Sequence, residues 1–138
     1  MSRPLTIAIA SMLLLSSCSH DKVSPDEISS DLTSAVSLAS EAQTFIDFVG
    51  QNRATDNYKK AQIRYLSEEA AKLATELHQA KTSSGPEDQL EECRKELDAL
   101  VLELDRVAQD IDTPEALASH KQRLAVAQKA LQQLRASL

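Results

Sequence analysis

Residues 87–111 read EDQLEECRKELDALVLELDRVAQDI. Within them Leu90, Cys93, Leu97, Leu100, Leu104, Val107 and Ile111 recur at alternating intervals of three and four. That interval is the repeat of one helical face at 3.6 residues per turn. A strand would instead alternate its faces at every second residue. The intervening positions are mostly charged, as on a helix with one face in a core and the other in water. The stripe predicts a helix over 86–111, opened by Gly85-Pro86.

The same repeat continues on both sides of this segment. Ser24-Pro25-Asp26-Glu27 places a capping serine, a proline suited to the first helical position and the glutamate of a capping box in order. Behind it Ile28, Leu32, Ala35, Ala39, Ala42, Ile46 and Val49 form one stripe, and Gly50 is expected to end the helix in a left-handed conformation. A second helix is predicted over 54–83 on the stripe Ile63, Leu66, Ala70, Leu73, Leu77 and Ala80. Thr113-Pro114-Glu115 starts a fourth, over 114–138, with Leu117, His120, Leu124, Ala127, Leu131, Leu134 and Leu138 on its apolar face. Outside the first seventeen residues every proline stands at a helix start and both glycines stand between helices. Neither type weakens a helix interior, where they cost about 3 and 1 kcal/mol.

The 138 residues carry 2 Gly, no Trp and four aromatics in all, and Leu, Ala, Glu, Gln and Lys dominate the remainder. A β-sandwich or barrel needs aromatic and β-branched strands with frequent turns, so the fold class is all-α. The net charge of −6 disfavours a nucleic-acid partner. By segment the charge alternates: −5 over 18–52, +2 over 53–84, −7 over 85–112 and +3 over 113–138. An antiparallel up-down-up-down four-helix bundle with coiled-coil-like packing gives every neighbouring pair opposite sign, and short connections favour the same arrangement.

The N-terminus runs MSRPLT, IAIASMLLL, SSC. Arg3 supplies a positive start and residues 7–15 an apolar run, about half the roughly 20 residues a membrane-spanning helix needs. This pattern reads as a secretory signal peptide, 1–17. Its end, Leu15-Ser16-Ser17-Cys18, resembles the lipobox of bacterial lipoproteins. The resemblance covers residues 1–18 and implies cleavage between Ser17 and Cys18, diacylglycerol on the Cys18 sulfur and an N-acyl chain on the new terminus. It further implies a stable anchor in a lipid bilayer and a place in the cell envelope. Because Ser19 is not Asp, it implies the outer membrane, facing the periplasm, in a Gram-negative organism. Residues 18–24 then form a lipidated tether before the bundle of 25–138. Cys93 is left as either a buried small hydrophobe or an intermolecular or redox thiol.

His20 lies beside the anchor, His78 falls off the core stripe into solvent, and His120 occupies a stripe position. There the expected role is packing at a bundle end with a hydrogen bond to backbone or water. A di-iron bundle needs Glu-x-x-His on two helices, yet Thr75 and Leu117 stand three residues before the two histidines. Cys-x-x-Cys-His, a Gly-rich phosphate loop and Gly-x-Ser-x-Gly are missing from the sequence, and the methionines are Met1 and Met12. The acidic run Glu87, Asp88, Glu91, Glu92 and Glu96 matches the dipole of a helix N-terminus and reads as a solvated face. No catalytic residue, metal ligand or cofactor is expected beyond the covalent lipid.

All four aromatics, Phe45, Phe48, Tyr58 and Tyr65, lie within 21 residues of one another, among Arg53, Lys59, Lys60 and Arg64. Two readings are open. Helix 2 changes phase, so that Ala54, Tyr58, Ala61 and Tyr65 face the core. Alternatively Phe48, Tyr58 and Tyr65, with Lys59 and Arg64, make an exposed aromatic-basic patch for a partner. The function expected is a membrane-anchored, non-enzymatic helical scaffold or accessory subunit of a cell-envelope complex, with an envelope protein as partner. The alternative is a periplasmic helical bundle that binds a small ligand or metal.

Overall fold

The computed structural model describes residues 22–82 and 87–138, with the side chain of Thr82 left aside. The signal peptide, Ser17, Cys18 and the connection at 83–86 lie outside the described residues. Four helices pack against one another: α1 (Pro25–Gly50), α2 (Asp56–Gln79), α3 (Glu87–Asp110) and α4 (Pro114–Ser137). The structure is all-helical apart from two two-residue strands, β1 (Lys22–Val23) and β2 (Lys81–Thr82), which pair in parallel.

The start of α1 is fixed by a reciprocal capping box. The Glu27 amide donates to Ser24 Oγ at 3.3 Å, and the Ser24 amide donates to Glu27 Oε2 at 2.7 Å. Two amides that the helix cannot satisfy internally are met this way. Ser24→Ala is expected to cost about 1 kcal/mol, the usual worth of such a cap. The shift in urea midpoint at unchanged slope measures it, and no shift would mean that water replaces the cap without loss.

The end of α1 departs from expectation. Gly50 stays helical and has no positive φ; the left-handed residue is Asn52, at φ 55°. Asparagine tolerates that conformation better than other residues with a Cβ, so the chain reverses two residues later than the glycine suggests. The fourth helix also starts differently from expectation. Thr113 occupies the N-cap without a side-chain cap bond, and its carbonyl accepts from the Ala116 amide at 3.0 Å.

α2 ends at Gln79, short of the expected 83, and the reason is Arg94 on α3. Its Nε donates to the Leu77 carbonyl at 3.0 Å and its Nη2 to the Ala80 carbonyl at 2.6 Å. These are carbonyls at a helix C-terminus, which the helix itself leaves unpaired. Glu87 and Glu91 hold the same guanidinium at 3.1 and 3.2 Å. Ala80 then turns extended, and Lys81–Thr82 pairs with Lys22–Val23. So the end of the predicted tether is part of the fold, and Val23 packs against the core.

The core is the union of the four stripes. Leu32, Leu66, Leu77, Leu90, Leu97, Leu100, Leu104, Leu124 and Leu131 are its largest fully buried side chains, apart from His120. Leu38 and Phe45 join from α1, and on α2 Ala74 is buried while Leu73 is only partly so. Leu138, assigned to the fourth stripe, is exposed beyond the end of α4. The principal contacts are α1 with α4, α2 with α3, α3 with α4 and, less extensively, α1 with α2. Each joins segments of opposite net charge.

Candidate functional site

The aromatic residues gather where α1 ends and α2 begins. The Tyr58 ring meets Phe48 edge-on at 5.6 Å between centroids and Phe45 at 6.1 Å. Such edge-to-face pairs align the positive rim of one ring with the negative face of the next. Arg53 places its guanidinium 5.8 Å from the Phe48 ring centre, within cation–π range. Phe45 is core and Phe48 half-buried, whereas Tyr58 and Tyr65 are 46% and 48% exposed.

The phase-change reading of α2 is therefore corrected. Of its four residues Ala54, before the helix, packs against the core, whereas Tyr58, Ala61 and Tyr65 are exposed and Ile63 and Leu66 are buried. Tyr65 lines a groove of about 460 Å³ between α1 and α2, with Thr33, Ser37, Glu41, Glu69 and Lys72. Arg64 is exposed one step around the helix.

Lys59 is drawn away from the patch. Its ammonium binds Asp56 at 2.9 Å and also Asp112, in the turn before α4, and the side chain is largely covered. Hydrogen bonds donated to Asp112 and then to Asp56 hold the Lys59 ammonium above its usual range, and accepting from Lys59 holds Asp56 below the usual carboxylate range. Lys59 thus ties α2 to the α3–α4 turn, and the accessible part of the patch consists of Tyr58, Tyr65 and Arg64.

A second cluster lies inside the bundle. Glu103 is 4% exposed and His120 1%. Arg123 Nε donates to both Glu103 oxygens at 2.9 and 2.8 Å, and His120 Nδ1 lies 2.7 Å from Oε1. Arg123 Nη2 reaches the same Nδ1 at 2.9 Å, so this nitrogen stands between a carboxylate and a guanidinium. Arg106 approaches Oε2 at 3.4 Å, and Arg123 Nη1 donates to Ser119 Oγ at 2.6 Å. His120 Nε2 has no hydrogen-bond partner; its nearest charged neighbour is Asp110 Oδ2, at 3.6 Å. The expected backbone or water partner for His120 is replaced by a carboxylate from α3.

Sequence reasoning missed Glu103. The signal was present, since Leu100, Glu103 and Val107 share the three-four interval and His120 sits on the facing stripe. Both Glu103 oxygens are engaged by side chains of the bundle, Oε1 by Arg123 and His120 and Oε2 by Arg123 and Arg106. Among the described residues no group of three or more His, Cys, Asp or Glu side chains could hold a metal ion. His78 is exposed and paired with Asp98 at 2.9 Å.

Cys93 is buried, and burial, with the nearby Glu92, pushes its thiol above its ordinary value. The thiolate is the reactive form, so maleimide is expected to leave Cys93 unmodified in the folded chain and to label it in urea. Labelling at equal rates in both would show the thiol to be accessible. Because the native thiol keeps its proton while the unfolded one loses it, this group makes stability fall as pH rises through the ordinary thiol value.

Comparison of the chain with protein-family models, with curated proteins and with solved structures finds no match.

Proposed function

We propose that the chain is a lipid-anchored, non-enzymatic scaffold or accessory subunit of a cell-envelope complex, held by Cys18 and presenting Tyr58 and Tyr65 to a protein partner. The observation that carries this reading is the exposure of two tyrosine rings, Tyr58 at the end of α1 remote from the tether and Tyr65 beside the middle of α1. Exposed Tyr beside Arg is the composition enriched at interface hot spots. α1 has 26 residues, about 39 Å at 1.5 Å per residue, so the Phe48–Tyr58 cluster stands well off the bilayer that holds its other end.

The up-down-up-down antiparallel arrangement with coiled-coil-like packing belongs to the same proposal. It is supported by the α1–α4 pairs Asp47–Lys121, Gln43–Gln128 and Thr33–Arg135, whose numbers run in opposite directions along the two helices. The parallel pairing of β1 with β2 supports it too, since it brings the start of α1 beside the end of α2. Among the described residues no helix is long and apolar enough to cross a membrane, so the attachment rests on the lipobox.

Two experiments test the proposal. Cys18→Ala is expected to release the chain from the membrane fraction with loss of the lipid mass; retention would refute the anchor. Photo-crosslinking from position 58 or 65 in intact cells is expected to capture one envelope protein that a probe at Glu91 does not. Equal capture from both faces would refute the partner surface.

A further inference from the structure

The seam between α1 and α2 is the least extensively packed of the four between neighbouring helices. It carries a groove of about 460 Å³, floored by Leu38 and Leu73 and walled by Ser34, Ser37, Glu41, Tyr65 and Glu69. The two segments have opposite net charge, but the groups that meet along this seam do not. Lys72 is the one cation lining the groove, and it forms no ion pair with Glu41 or Glu69. Glu41 accepts instead from the neutral amide of Gln62, at 2.7 Å. Nearer the tether, Asp31 of α1 meets Glu76 of α2. Burial, then Glu76 and Glu27, push the Asp31 carboxyl above its ordinary value. Among the described residues Asp31, Glu69 and Glu76 have no ion-pair partner.

We propose that this seam receives a basic amphipathic helix of the envelope partner, its apolar side chains on Leu38 and Leu73 and its Lys and Arg side chains among the carboxylates. The proposal rests on the partner surface described above, of which Tyr65 is one edge, and adds the chemistry of the segment that binds there.

An apolar floor between two helices calls for an apolar stripe, which is how a helix enters a groove. The small side chains of Thr33, Ser34 and Ser37 let another backbone come close. Four carboxylates, Asp31, Glu41, Glu69 and Glu76, stand along the seam against the single ammonium of Lys72. That surplus attracts a cationic segment and repels an acidic one. Asp31 is the sharpest case, because an anion crowded by other anions gains most when a cation arrives. The half-exposed Tyr65 ring adds a face on which an arginine can lie.

The test uses the lipidated full chain in nanodiscs of zwitterionic lipid, with binding to empty discs subtracted. The probe is a helical peptide of alanine, lysine and arginine with leucines along one face. Saturable binding is expected, weakened by salt, and the same peptide with glutamate for every lysine and arginine is expected not to bind. Glu41→Lys with Glu69→Lys is expected to raise the dissociation constant about tenfold or more. Asp88→Lys with Glu92→Lys makes the same change of net charge on α3 and is expected to stay within about twofold. Ser37→Trp fills the groove from an exposed position without altering charge, and is expected to weaken binding as the first pair does. Circular dichroism and the urea midpoint establish that each variant is folded. No binding, equal binding of the acidic peptide, equal losses from the two charge pairs, or indifference to Ser37→Trp would each overturn the proposal. Crosslinking from position 65 separates it from the scaffold reading. An envelope protein captured through a segment without surplus Lys or Arg refutes the basic helix and leaves the scaffold standing. Peptide binding with no captured protein does the reverse.

Discussion

Glu103→Ala is expected to lower the stability of the bundle by about 1–3 kcal/mol, the cost of leaving the buried His120 without its partner while the half-exposed Arg123 and Arg106 turn to water. The carboxylate lies inside the protein and collects Arg123, His120 and the more distant Arg106. Its removal takes the acceptor from Arg123 Nε and leaves the buried His120 ring without its carboxylate partner. Two further outcomes separate this from a simple cavity. Glu103→Gln keeps the volume and one acceptor, so it is expected to lose less than alanine but still more than a surface substitution. Replacing Glu103, His120 and Arg123 together by apolar residues of similar size is expected to restore much of the loss, because a buried ionic cluster is costly to break and cheap to replace whole. Urea unfolding followed by circular dichroism measures all three. A Glu103→Ala loss under about 1 kcal/mol would mean that water reaches the cluster and satisfies it.

Leu124→Ala is the second large effect, about 2–5 kcal/mol. Leu124 on α4 is fully buried in the core, and alanine there forfeits the transfer energy of its methyl groups and leaves a void. Val126, two residues further on, is 64% exposed. Val126→Ala removes methyl groups from the same helix and is expected to stay within about 0.5 kcal/mol, the range for ordinary surface substitutions. The contrast across two residues depends only on helical phase. Equal losses at both positions would show that α4 is rotated or not packed as described.

The four helices were legible because their signals are local and agree with one another. The capping box at Ser24, the three-four stripe of α3 and the prolines at 25 and 114 all act within a turn or two. Features decided across the bundle were not legible. Nothing near residue 80 stops α2; its stop is a guanidinium from α3, so the predicted helix ran to 83 while the actual one ends at Gln79. Glycine marked position 50, but the left-handed turn fell on Asn52. For the candidate site, Tyr58 and Tyr65 stand out in the sequence as aromatics in a basic stretch, yet their exposure hangs on the phase of α2 against the core. Lys59 looked equivalent to Arg64, and only the arrival of Asp112 from the α3–α4 turn separates them.

The sequence alone therefore determined the helical class and the apolar faces, and its lipobox resemblance carries the proposed envelope address. Periodicity, capping and breaker residues are properties of a few consecutive positions, and they hold whichever way the helices pack. Tertiary structure decided which charges are partnered. Glu103 is an ordinary flank residue of one helix until His120 and Arg123 close over it from another. That closure turns a solvated carboxylate into a buried one, because its environment is supplied by side chains some 20 positions away along the chain.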